Sequence, residues 1–179
     1  MNLPSPEPGS VVEAGAHEAA AALARLLRVP VHAENFTSLD VGQLAASHGA
    51  SSGEGRVVVI AFDASGGVKG TFALVVDDAV AAWLASRLTG AVTLDGAIGK
   101  GALAALAEFG NIAASAFLNG AARVVGRTCL PSVPRVTHAA TKEALSSLPA
   151  SLPSSSMSVA TLRLQQQWFS LVFSPATTT

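Results

Sequence analysis

The chain has no tyrosine, a single cysteine and few charges, and each shortage excludes something. Seven Phe and two Trp supply few surfaces on which a base could stack, and the 11 Lys and Arg are scattered rather than clustered. With a net charge of −1 there is no basic patch for a phosphate backbone, so nucleic acid is not an expected partner. Cys129 alone cannot form a disulfide framework within the chain, which fits a reducing, cytoplasmic compartment. The opening Met1-Asn2-Leu3-Pro4-Ser5-Pro6 has no basic segment and no apolar run, so it does not read as a signal peptide. What is abundant is apolar surface. Half of the residues are hydrophobic, 13% are charged, and 179 residues suffice for one domain with a substantial core.

Along the chain, residues 1–9 read as a Pro-rich flexible leader, 10–175 as one folded domain and 176–179 as a loose tail. Residues 11–27 read as a helix with Ser10 as its N-cap. Val29–Ser38 follows as an extended run, and the Gly, Ser and Ala of 42–55 as a surface loop. Arg56–Phe62 and Val68–Val76 are β-rich and flank Asp63-Ala64-Ser65-Gly66-Gly67, a hairpin signal. Asp77 and Asp78 open a helix that Gly90 closes. The second half repeats the order: a helix over 101–125, a strand-like run Arg127–Val136, and a short helix and Ser/Pro-rich loop within 138–155. Strands Met157–Leu164 and Trp168–Ser174 complete it. The stretch 101–125 is long enough to raise the question of a membrane span. An acid near its centre would cost about 2.5–3.5 kcal/mol there, so it reads as a core helix and no membrane insertion is expected.

That helix contains the most informative residues. Glu108 is followed after two residues by Asn111, and Pro134 stands twenty-two residues further on. At 100° per residue, Glu108, Asn111, Ser115 and Asn119 share one stripe. Leu103, Leu106, Gly110, Ala113, Phe117 and Ala121 form the opposite, core-packing face. A solvated seam would ordinarily carry Lys, Arg and several Glu. One acid and short amides, set among Ala and Gly, suit a surface that another protein approaches closely. Read singly, Glu108 is a solvated helix residue, Ser115 bonds back to a carbonyl one turn earlier, and Pro134 is an edge-strand or turn proline.

At these residues the chain resembles the CheC/CheX/FliY family of chemotaxis phosphatases, whose motif is Asp or Ser, three residues, Glu, two residues, Asn, twenty-two residues, Pro. Glu108, Asn111 and Pro134 match, and Ala104 stands where the family has Asp or Ser. In the weaker, N-terminal resemblance Ser10, Glu13 and Phe36 occupy the Glu, Asn and Pro positions, so the first site is lost. The resemblance implies an α/β (α+β) domain of two duplicated halves, with a largely antiparallel sheet and two long helices side by side on one face. It implies hydrolysis of the aspartyl phosphate of a CheY-like response regulator, with Glu108 and Asn111 as catalytic residues. Mg2+ would be held by the regulator, and no metal or cofactor by this chain. A second reading is a binding module for the regulator, for CheD or for a flagellar-switch component, and a homodimer stays open.

Other motifs fail on spacing. His32-Ala33-Glu34 lacks the two further cysteines of a zinc deaminase, and His17-Glu18 lacks the second His of a metalloprotease helix. His48 and His138 fall in loop-like segments without ligand spacing. No Gly-Lys-Ser/Thr follows Gly66, Gly67 and Gly70, which therefore read as a turn.

Overall fold

The computed structural model describes residues 8–49, 55–90, 98–148 and 157–176. Among these residues seven strands form one sheet whose pairings are all antiparallel. In chain order they are β1 (His32–Leu39), β2 (Arg56–Gly66), β3 (Gly70–Asp77), β4 (Cys129–Pro131), β5 (Arg135–Ala140), β6 (Met157–Leu164) and β7 (Gln167–Pro175). Across the sheet the order is β1-β6-β7-β3-β2, and β4 and β5 share the outer edge of β2. Among the described residues there are five helices: α1 (Pro8–Leu27), α2 (Val41–Ser47), α3 (Asp78–Thr89), α4 (Lys100–Val125) and α5 (Thr141–Ser146).

Strand alternation builds two cores. Val58, Ile60 and Phe62 of β2, with Phe72 and Leu74 of β3, face α1, α3 and α4. Val57, Val59 and Ala61 of β2, with Ala73 and Val75 of β3, face the short helices α2 and α5. The result is three layers: long helices, sheet, short helices. A sheet covered on both faces needs near-continuous apolar strands, which is why β2 and β3 read as unbroken hydrophobic runs.

The duplication is visible in the topology. α1-β1-α2-β2-β3 and α4-β4/β5-α5-β6-β7 have the same order, and the sheet is symmetric about the β3–β7 pair. α3 joins the halves and adds a third helix to the long-helix face.

The helices α1 and α4 meet through glycine. A Cβ on Gly120 would stand 2.6 Å from the carbonyl oxygen of Ala14, and one on Gly15 would stand 2.5 Å from the Phe117 ring. Arg123 and Glu18 pair across the same contact. Among the described residues α4 is the one helix long and apolar enough to cross a membrane, and here its apolar face lies on α1 and the sheet.

Several expectations change. α1 begins at Pro8, so Pro8 and Gly9 belong to the helix and Ser10 lies in its first turn rather than capping it; Pro is well suited to a helix start. Residues 1–7 and 177–179 lie outside the described residues. The segment read as a loop from 42 begins as helix α2, because Asp40 and Gln43 form a reciprocal capping box; residues 50–54 are not described. β2 continues to Gly66, so the hairpin turn falls between Gly66 and Gly70. The run Arg127–Val136 is two strands, β4 and β5, interrupted at Ser132–Pro134. Of the loop read within 138–155, residues 149–155 are not described.

Candidate functional site

α4 is rich in Ala and Leu, which favour helix, and it ends at Gly126 in the left-handed conformation. Its buried face holds Leu106, Phe109, Gly110, Ala113, Phe117 and Ala121, while Leu103 is half-buried. Gly110 brings the helix onto β2: a Cβ there would lie 2.6 Å from Cγ2 of Ile60. Ile60 pairs with Val136 of β5, so this part of α4 stands over the sheet's edge.

The expected seam is at the surface. Ala104, Glu108, Asn111 and Asn119 are exposed and Ser115 is half-buried. Among the described residues, none of Glu108, Asn111, Ser115 and Asn119 makes a side-chain hydrogen bond or ion pair. The back-bond expected of Ser115 is therefore not formed; Thr89 of α3, by contrast, does donate to the Ala85 carbonyl at 2.9 Å. Asn111 and Gly120 are about half a turn apart on the helical wheel, and Gly120 faces α1. Asn111 thus points away from α1. Glu108, one turn earlier, is likewise exposed.

Pro134 is half-buried in the break between β4 and β5, two residues before Val136. One residue, Asp63, organises this break from both ends, through its carboxylate at one and its backbone at the other. Arg135 donates to Asp63 through Nη1 and Nη2, at 2.6 and 3.0 Å. Ser132 donates its backbone N–H to the Asp63 carbonyl at 2.8 Å, and its Oγ accepts the Asp63 N–H at 2.9 Å. The Arg135 hydrogen bond holds the Asp63 carboxyl below its ordinary value and raises the guanidinium correspondingly. Sequence reading took Asp63 for part of a hairpin turn. Its partner lies 72 residues away, and no local pattern announces the pair.

The first half has a different surface. The same shift in numbering carries Ser10, Glu13, His17 and Phe36 onto Glu108, Asn111, Ser115 and Pro134. Phe36 sits in a register irregularity of β1, where Asn35 takes a positive φ of 54°, so both edge strands are broken at the corresponding place. Here, however, the side chains occupy one another. The Glu13 carboxylate is 4.0 Å from His17 Nε2, and the His17 ring lies 5.5 Å from the ring of Phe36.

His48 and His138 are structural. His48 caps the end of α2 rather than lying in a loop, and His138 is in β5. His48 Nδ1 is 2.7 Å from Asp77 Oδ1 and its Nε2 is 2.9 Å from Ser170 Oγ. The order Ser–His–Asp matches a nucleophile, base and orienting acid. Ser170, however, is only 3% exposed on an interior strand, and the His48 ring is packed against Trp168. The trio ties α2 to the sheet. His138 and Arg56 both reach Asp78 at the start of α3. Among the described residues no group of His, Cys, Asp or Glu could hold a metal ion.

Residues 102–138, which contain Ala104, Glu108, Asn111 and Pro134, match the family model described as the CheC-like family. A sequence comparison with curated proteins finds no match. Solved structures share the fold over nearly the whole chain. FliY from Thermotoga maritima is 19% identical with a TM-score of 0.73, covering 97% of this chain and 92% of that one. A chain of the CheX–CheY–BeF3–Mg2+ complex from Borrelia burgdorferi is 16% identical with a TM-score of 0.65, covering 93% and 97%. The FliM middle domain from Vibrio alginolyticus is 12% identical with a TM-score of 0.60, covering 95% and 94%. The architecture is thus the CheC/CheX fold of chemotaxis proteins. Within that fold, residues 102–138 are similar to the CheC-like family.

Proposed function

We propose that this protein hydrolyses the aspartyl phosphate of a CheY-like response regulator, using Glu108 and Asn111. The observation that carries the reading is the pair itself: a carboxylate and a carboxamide, exposed and without side-chain partners among the described residues, on the ridge of α4. An acyl phosphate is already reactive, so the catalyst has mainly to place a water in line. The Asn111 carboxamide donates and accepts at once, which suits it to hold that water. Glu108 pairs with a basic side chain of the regulator and fixes the register of the helix, adding orientation more than affinity. Mg2+ belongs to the regulator, and this chain contributes no metal ligand. The similarity to a chain of a CheX–CheY complex supports a CheY-like partner, and a cytoplasmic location follows from that partnership.

A second reading is a binding module that holds the regulator, CheD or a flagellar-switch component without turnover. Ala104 favours it, because it removes a hydroxyl or carboxylate from the seam. The likeness to a FliM domain keeps switch components among the candidates, and a homodimer is compatible with either reading. Decay of the regulator's aspartyl phosphate with and without the protein separates the two. Hydrolysis predicts a shortened lifetime that Asn111→Ala restores to the unassisted value. A stable complex with an unchanged lifetime selects the binding module.

A further inference from the structure

Of the large apolar side chains exposed among the described residues, Ile112 is the one that lies on α4, and it is 37% exposed. Isolated exposed apolar residues are ordinary, but the helix fixes where this one stands. Ile112 follows Asn111 directly and comes one turn after Glu108 on the same face, with about 5–6 Å between the Cβ atoms of a pair so spaced. Around the helix axis Glu108 falls between Asn111 and Ile112, and the three span about 100°. Helical side chains lean toward the N-terminus, so Ile112 leans over the turn that carries Glu108. The other apolar residues of this ridge are small: Ala104 is exposed, and Ala105 and Ala116 are half-buried.

The helix itself does not call for isoleucine here, because a β-branched residue is less favourable than alanine on an exposed helical face. The first half shows the alternative. The shift in numbering that carries Glu13 onto Asn111 carries Ala14 onto Ile112. α1 thus has alanine beside a position without a carboxamide, and α4 has a large apolar side chain beside its carboxamide. β-Branching also leaves one strongly preferred χ1 rotamer in a helix, so little side-chain entropy remains to be lost when a partner covers it. A protein that engages Glu108 and Asn111 together lies against Ile112 on the other flank of Glu108. We propose that Ile112 is an apolar docking contact for the response regulator and sets how tightly the regulator binds, while Asn111 sets turnover. The occupant is the receiver domain that carries the aspartyl phosphate, so this inference rests on the function proposed above. Glu108 orients the partner by charge, and burial of Ile112 adds affinity that salt does not screen.

The test uses the full chain and a CheY-like response regulator from the same organism, phosphorylated for turnover and loaded with beryllofluoride for binding. Ile112→Ala is expected to raise KM and the dissociation constant about tenfold, with kcat within about twofold of the parent. Ile112→Leu keeps the apolar bulk and should stay within about threefold of the parent in both. The Ile112→Ala loss should be the same at low and high salt, whereas the loss caused by Glu108→Gln should shrink as salt rises. Asn111→Ala should show the opposite split, with binding kept and kcat lost. Because Ile112 is exposed and alanine favours helix, the unfolding midpoint of Ile112→Ala should not fall, which separates lost docking from lost fold. An Ile112→Ala dissociation constant within about twofold of the parent would overturn the docking role whatever happens to turnover. Parent binding without turnover, with weakened binding by Ile112→Ala, would keep the docking role and sink the phosphatase reading. Failure of the parent to bind the loaded regulator overturns both.

Discussion

The two halves of this molecule share one architecture and differ in what their long helices offer to solvent. In the first half the exposed Glu13 carboxylate lies 4.0 Å from His17, and the His17 ring lies against Phe36. In the second half Glu108, Asn111, Ser115 and Asn119 have no side-chain partners among the described residues, and Pro134 replaces the aromatic ring. Helix packing is much the same problem in both halves, and the layers solve it in both. Residues on an exposed ridge contribute little to the core, so the two ridges can differ at little structural cost. The proposed function rests on the side chains that the second ridge leaves without side-chain partners among the described residues.

This contrast can be broken or sharpened by substitution. The largest expected effect is on chemistry. Asn111→Ala should lower the stimulated dephosphorylation rate by about 100-fold or more, the usual scale for losing a preorganised polar group. The corresponding Glu13→Ala should leave the rate within about twofold. Next comes the shared packing. Gly120→Val forces a side chain against the α1 backbone at Ala14, and a loss of about 3 kcal/mol in denaturant unfolding is expected. Gly110→Ala meets the stiff Ile60 side chain instead. Helix propensity offsets part of that strain, so a loss of about 1 kcal/mol is expected, with KM or kcat disturbed as α4 lifts.

Smaller effects refine the site. Ala104→Ser restores a hydroxyl one turn before Glu108. It should raise turnover by about threefold if the polar seam works as a unit, on the scale of a modest hydrogen bond of roughly 0.7 kcal/mol. The smallest effect is electrostatic. The Arg135 hydrogen bond depresses the Asp63 carboxyl below its ordinary 3.8, so its stabilisation is fully present above that value and is lost as pH falls through the lower folded value. Both side chains are about half exposed, so the contribution is about 0.5 kcal/mol. Urea unfolding of the parent and Asp63→Asn should differ by that amount at neutral pH and converge in acid well below 3.8.

The sequence discloses these features unevenly. α4 was legible because its apolar residues recur at the helical period and Gly126 stops it; the same period put Glu108 and Asn111 on one exposed stripe. β6 was legible to the residue as Met157–Leu164. α2 was missed although Asp40 and Gln43 have capping-box spacing, because Gly, Ser and Ala nearby suggested a loop. Pro131 and Pro134 were signals that the run from Arg127 could not be one strand. The bracket of Asp63, Ser132 and Arg135 had no signal, because it joins residues brought together only when β4 and β5 pair with β2. Nor could the sequence tell that Glu13 and His17 are engaged while Asn111 is free of side-chain partners, since both helices place these residues on an exposed face.

The most direct test of the account compares the halves in one assay: the lifetime of a regulator's aspartyl phosphate with the parent protein, Glu13→Ala and Asn111→Ala at equal concentration. The account predicts that the parent and Glu13→Ala shorten the lifetime equally and that Asn111→Ala leaves it at the unassisted value. A lifetime still shortened by Asn111→Ala, or one restored by Glu13→Ala, would contradict it.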